Sequence, residues 1–444
     1  VQLDGLSWPT ADGSANQVLK TDGSGALSWT TASGGASEID DLSDAKSAGT
    51  NFTGSLLVGH QTTGTLNAAQ YNTGVGLASL DALTTGDNNT AIGYAALTAN
   101  TTGTSNTATG YYSLQSNTTG SGNTASGIRS LQENTEGDYN TAFGNQSLKA
   151  NTTGDYNTAS GYMSLLSNTT GTRNIAIGNK AYDAADTEND NLAIGYDALG
   201  GAIDGGEYNI AIGNYSLDAN TEGDNNTAVG YDALTNNTAG NRNTAIGTNA
   251  LKDNTTGIVN VAIGSAALEN NTTANSNTAV GHASSYSLTS GAANVSLGYR
   301  SGFTVTTGNN NVLIGSDANP STDGGSTNQI VIGQGTTGKG DNTVTIGNGD
   351  ITAWSAADDG EVDLGSSSVE FKDLYVDGVA YTDALGFGTV AMTLPTADGS
   401  ANQVLKTDGS GALSWASNTA STSIDGLSDA KSAGTNFTGS LIVG

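Results

Sequence analysis

The sequence predicts an all-β chain built around a parallel β-solenoid with 17-residue coils, flanked by small β connector modules. Three observations predict it. An Asn-led word, Asn89-Thr90-Ala91-Ile92-Gly93, returns at Asn106, Asn123, Asn140 and Asn157, an interval of 17 residues. The interval persists through Asn174, Asn191, Asn209, Asn226, Asn243, Asn260, Asn277, Asn294 and Asn311, with one single-residue slip between Asn191 and Asn209. A leucine keeps the same beat at Leu80, Leu97, Leu114, Leu131, Leu148 and Leu165, and again from Leu199 to Leu268. Neither half of the unit has helical apolar spacing, and the unit is too short for a helix pair with its turns. One β coil per repeat remains.

Within the type unit, Asn89 to Ser105, a run ending on Gly93 and a second around Leu97 predict two short strands and two bends. Coils stacked ~4.8 Å apart set like residues above like, which accounts for the Asn and Leu columns. Leucines at about 2 kcal/mol each when buried make a thin core. The Asn column either forms an amide ladder along the stack or simply suits a tight turn, and the sequence supports both. Alternation puts Thr90 and Ile92 on one strand face and Asn89, Ala91 and Gly93 on the other. The Ile92 column is loose, since Thr109, Ser126 and Ser160 also stand in it. The small Ala and Gly face predicts close approach by other copies, three chains about one axis covering most surface.

Taken in order, residues 1–66 read as a β connector module, because Asp12-Gly13 and Asp22-Gly23 separate short apolar runs as hairpin turns do. A short helix is expected within 37–48, stopped by Gly49. Residues 67–348 are the solenoid, degrading from about His282, where Tyr286, Phe303 and Asn319 disturb the leucine column. Residues 349–390 form an exit β module with an aromatic core of Trp354, Phe371, Tyr375 and Tyr381. Residues 391–444 repeat the first module: Pro395 to Trp415 copies Pro9 to Trp29 at an offset of 386, and Ile424 to Gly444 closely follows Ile39 to Gly59 at 385. A super-repeat of about that length encloses the short one. Val1 opens in mid-motif without a Met, so the expectation is a segment of a longer polypeptide, continuing at its end into another solenoid.

Composition narrows the function classes. With 42 acidic against 13 basic residues, a net charge of -29 disfavours nucleic acid and direct insertion into an anionic membrane. No cysteine is present, which removes disulfides and thiolate metal sites. Asp87, Asp138, Asp155 and Asp224 precede the Asn column at turn positions, so they read as backbone-capping residues rather than as a catalytic carboxylate pair. Calcium has only isolated Asp-Gly turns to bind, and no cofactor is expected. His60 and His282 read as turn or surface residues rather than as an acyltransferase base. Repeated sequons such as Asn100-Thr101-Thr102 read as turns, and the Thr ranks raise the alternative of an ice-binding face. The candidate ligand contacts are the acidic loop Asp183, Asp186, Glu188 and Asp190, with Trp354 and Tyr375 as a carbohydrate-stacking alternative.

The unit Asn89 to Gly103 resembles the head repeats of YadA-type trimeric autotransporter adhesins and related repeats of bacteriophage tail fibres, over residues 72–347. Its coil is longer than the usual adhesin repeat. Leu394 to Leu405, with Asp363 to Ser366 and Phe371 to Tyr375, is similar to tail-fibre connectors. The resemblance implies a left-handed β-roll assembled as a homotrimer. The expected function is a non-enzymatic extracellular fibre segment on a cell surface or virion. It would attach to a glycan or protein receptor and continue end to end into further super-repeats. The alternative from another class is a polysaccharide-binding or depolymerising spike.

Overall fold

A computed structural model describes residues 2–3, 6–15, 17–31, 45–47, 54–59, 68–202, 204–322, 324–353, 384–387, 390–418, 430–431 and 442–443. They fall into two units, Val1–Ala353 and Trp354–Gly444. All regular elements among the described residues are strands.

The first unit contains a parallel ladder of eighteen three-residue strands, from Leu56–Val58 to Val344–Ile346, with one strand per coil. Register is strict: Thr90 pairs with Thr107, Ala91 with Ala108, and Ile92 with Thr109. At one end Ala45–Ser47 pairs antiparallel with Leu56–Val58. At the other end Val344–Ile346 pairs only with Ile330–Ile332 among the described residues, so the sheet is an open stack. The ladder thus reaches back into the span read as connector, where Leu56–Val58 pairs with Thr73–Val75 of the next coil. Ala45–Ser47, expected at the end of a short helix, is a strand.

Among the described residues the second expected strand of the coils is absent. The leucine run is a series of turns in which Ala95 and Leu97 take φ of +54° and +52°. Its backbone still bonds rung to rung, Leu97 N–H donating to Ser113 O at 3.1 Å. Left-handed φ costs an L-residue about 1–2 kcal/mol. Complete burial of the leucine side chains, with about 2 kcal/mol each of hydrophobic stabilisation, offsets that.

The interior is narrow and half polar. Ala91 and its column are fully buried against the leucines, while Ile92 on the opposite strand face is 43% exposed. The small Ala face therefore points into the coil, and the expectation that it receives another chain is corrected. Gly93 and its column are small for a different reason: at Gly93, φ is +138° and a Cβ would meet Gly110 O at 2.5 Å. The stack cannot close at its rung spacing with a larger residue there.

Where the repeat degrades, the apolar position moves. Ser285 and Gly302 follow Leu268 in its column, and the buried aliphatics shift three residues along to Leu288 and Val305. Tyr286 and Phe303 stack on each other outside, at 5.3 Å between centroids, rather than filling the leucine column.

Before the ladder, the first unit carries the hairpin Gln17–Thr21 with Leu27–Thr31. Trp29 Nε1 donates to Ala11 O at 2.8 Å. In its turn the Asp22 carboxylate accepts from Ser24 Oγ, Ser24 N and Ala26 N, which hold its pKa down to about 2. The second unit repeats this hairpin as Gln403–Thr407 with Leu413–Ser417, and Trp415 Nε1 donates to Ala397 O at 2.7 Å. It also repeats the antiparallel start of the ladder, Lys431 facing Ile442 as Lys46 faces Leu57. Trp354, Phe371, Tyr375, Tyr381 and His60 lie outside the described residues.

Candidate functional site

Three rows of side chains run along the ladder, and two of them are internal. In the leading Asn column, the N–H of Asn89 donates to Asn72 Oδ1 at 2.8 Å, and Asn89 Nδ2 donates to Gly103 O at 2.9 Å. Asn106, Asn123, Asn140 and Asn157 repeat both bonds. Each amide therefore caps the backbone of one bend and accepts from the next rung, so both sequence readings hold together.

A second Asn ladder escaped the sequence reading, which took Asn100 only as a turn residue. Asn117 Nδ2 donates to Asn100 Oδ1 at 2.8 Å, Asn134 Nδ2 to Asn117 Oδ1 at 2.8 Å and Asn151 Nδ2 to Asn134 Oδ1 at 2.7 Å. The equal spacing of this column was the signal. It breaks where Ala185 follows Asn168 and where Leu288 follows Asn271, and the two Oδ1 atoms left there lack partners. Asn100, Asn117 and Asn168 are fully buried, so these sequons present no amide at the surface.

The acids at turn positions also belong to the ladder. Asp87 Oδ1 accepts the Gln70 N–H, Asp138 Oδ1 that of Ser121, Asp155 Oδ1 that of Asp138 and Asp224 Oδ1 that of Glu207, at 2.7–2.9 Å. Thr101 and Thr118 likewise spend their hydroxyl hydrogens on carbonyls of the next rung.

The carboxylates of the acidic loop turn to different partners. Glu188 is 4% exposed, and its carboxylate accepts the N–H groups of Asp186, Thr187 and Gly205. Asp190 is clamped by Arg173, Oδ1 to Nε at 2.6 Å and Oδ2 to Nη2 at 2.7 Å, which lowers its pKa. Asp186 accepts from the Thr169 hydroxyl. Asp183 is half-buried, and burial, followed by the charge of Asp197, pushes its pKa up against the pull of Lys180. Beside this loop Tyr182 fills the leucine position, and its hydroxyl accepts from Asn191 Nδ2 at 2.7 Å. Burial and the nearby Glu188 charge raise the Tyr182 pKa well above its ordinary value. Asp218 belongs to the same side: burial and the charges of Asp197, Asp183 and Asp232 raise its pKa. Among the described residues no three His, Asp or Glu side chains gather as a metal site would need.

The third row is external. On the Thr/Ile strand face, Ile92, Phe143, Ile177, Ile246, Ile263 and Leu297 are 38–52% exposed along the length of the ladder. Tyrosines add exposed clusters beside it, Tyr94, Tyr111 and Tyr112 with ring centroids 4.0–5.4 Å apart, and Tyr139 stacked on Tyr156 at 5.3 Å. His282 stacks on Tyr299 at 5.5 Å. Among the described residues no helix is long and apolar enough to cross a membrane. No protein-family model matches the chain, and no characterised protein is significantly similar to it in sequence.

Proposed function

We propose that the chain is a structural segment of an extracellular fibre, a homotrimeric shaft in which the Thr/Ile faces of three solenoids pack about one axis. The carrying observation is that face: one side of the strand ladder is buried inside its own coil, and the other presents apolar side chains to solvent on most of its rungs. Isolated exposed apolar residues are ordinary, whereas a long apolar row, even one interrupted at Thr109, Ser126 and Ser160, is the mark of an interface. Eighteen rungs at ~4.8 Å, on strands roughly 10 Å across, offer on the order of 800 Å2, about what one partner of a stable complex buries. The resemblance to YadA-type heads supports three chains and a left-handed winding. Backbone and side-chain ladders along one direction make such a shaft stiff, and a stiff repetitive shaft is suited to holding a surface-binding element away from a cell or virion. Its acidic charge keeps neighbouring fibres apart.

Sedimentation equilibrium of the full chain tests the proposal. The expected mass is three times the 44.2 kDa chain. A monomer at micromolar concentration overturns the three-chain shaft.

A further inference from the structure

Arginine is scarce in this chain, and Arg173 and Arg242 sit in the same column, immediately before the leading Asn, with φ of +59° and +57°. Arg173 finds a carboxylate one rung further on, in Asp190, and grips it with two parallel bonds. One rung beyond Arg242 the corresponding residue is Val259. Among the described residues the Arg242 guanidinium has no carboxylate within ion-pair range. A cleft of about 200 Å3 lies there, lined by Asp224, Asn225, Asn241, Arg242, Ile258 and Val259.

We propose that this cleft binds one carboxylated sugar residue of an acidic polysaccharide. The ligand's carboxylate takes the place that Asp190 holds beside Arg173, since a guanidinium fork matches a planar carboxylate in a bidentate pair. Asn225 contributes an exposed side-chain amide with no protein partner among the described residues, a donor and an acceptor for ring hydroxyls. Asp224 turns Oδ1 into the ladder, where it accepts the Glu207 N–H at 2.9 Å, and keeps its other oxygen for a hydroxyl. Asn241 is engaged with the backbone through both side-chain atoms, Oδ1 accepting from Asp224 N and Nδ2 donating to Ala239 O, and so forms a rigid wall. Ile258 and Val259, 39% and 45% exposed, give the apolar floor on which a pyranose ring rests. An acidic peptide fits less well, because a Glu side chain brings neither a ring to rest on Ile258 and Val259 nor hydroxyls for Asn225 and Asp224. The site lies within one chain and does not depend on trimer formation.

The test is calorimetric titration of the full chain with galacturonic acid oligomers and, as controls, neutral galactose oligomers, inorganic phosphate and a Glu-rich peptide. The expected result is binding of the uronate with a dissociation constant on the order of 1 mM or tighter, and none of the neutral sugar. Val259→Asp supplies the missing carboxylate internally and is expected to weaken uronate binding at least tenfold. Its melting temperature should not fall, because Val259 now holds a β-branched side chain at a φ of +60°, a conformation in which Asp is the more comfortable residue. Arg242→Gln is expected to weaken binding to the same extent. Equal binding of neutral and charged sugars, unchanged binding in both variants, or tighter binding of phosphate or peptide overturns the proposal.

Discussion

The second Asn ladder makes a quantitative prediction, because two substitutions with the same chemistry should have different costs. Asn134→Leu removes an amide from mid-ladder. Gly137 O keeps a bond from Asn123 Nδ2 and Asn151 Nδ2 keeps Gly154 O, but Asn117 Oδ1 loses the donor that Asn134 supplies. That is one orphaned buried acceptor. Asn100→Leu acts at the first rung, where Leu83 precedes it in the column, so no earlier amide loses its donor. Gly103 O retains Asn89 Nδ2, and Asn117 Nδ2 retains Gly120 O. An unsatisfied buried acceptor costs about 1–3 kcal/mol, so Asn134→Leu should be less stable than Asn100→Leu by about that amount. Leucine is a fair probe, since the chain itself places Leu83 and Leu288 in this column fully buried. Urea denaturation of both variants, with melting temperature as a second readout, measures the difference. The corresponding shift is about 2–4 °C for each kcal/mol. Equal costs for the two variants would refute the ladder as an energetic unit.

Gly93→Ala should cost on the order of 3 kcal/mol or more, because its Cβ would meet Gly110 O at 2.5 Å, whereas Gly23→Ala, with nothing within 4 Å, should cost about 1 kcal/mol from its positive φ alone; thermal melts separate them. Asp218→Asn should raise stability at neutral pH. Its carboxyl has a raised folded-state pKa, so the parent protein is fully stabilised there when the group is protonated and loses that stability as pH rises through the folded value. The gain should vanish in melts taken below about pH 3. Phe143→Glu combined with Ile177→Glu, both on exposed positions, should shift sedimentation from trimer to monomer while changing the stability of the single chain by about 0.5 kcal/mol or less per site; a persistent trimer would place the interface elsewhere.

The coil, its length and the stacking of like on like were legible in the sequence, because a one-dimensional stack repeats its contacts at the interval at which the chain repeats its residues. Asn89 and Leu97 are internal for that reason, and their columns keep their type over most rungs, the Asn column from Asn72 to Asn311 and the Leu column except at Tyr182 and from Ser285 on. Ile92 varies to Thr109 and Ser126 because its column faces outward, and that looseness was the available clue to which strand face is uncovered. Only the tertiary structure decided it. Alternation separates Ala91 from Ile92 without saying which lies inside, and the choice rests on the width of the coil, which takes a methyl opposite a buried leucine and takes Leu313 where Gly302 stands in the leucine's place.

The leucine run illustrates the same limit. Its residues suit a strand, but a closed coil must turn within 17 residues, and it does so by setting Ala95 and Leu97 at left-handed φ, a conformation that no side-chain preference announces. The acidic loop and the cleft beside Arg242 differ for a related reason. Asp190 and Val259 occupy equivalent places one rung beyond an arginine, and only stacking reveals that one arginine is satisfied and the other is not. Periodicity in the sequence determined the architecture, because local spacing sets what stands above what. The stacked coils determined which faces and charges remain open to a partner, because that depends on what each rung leaves uncovered.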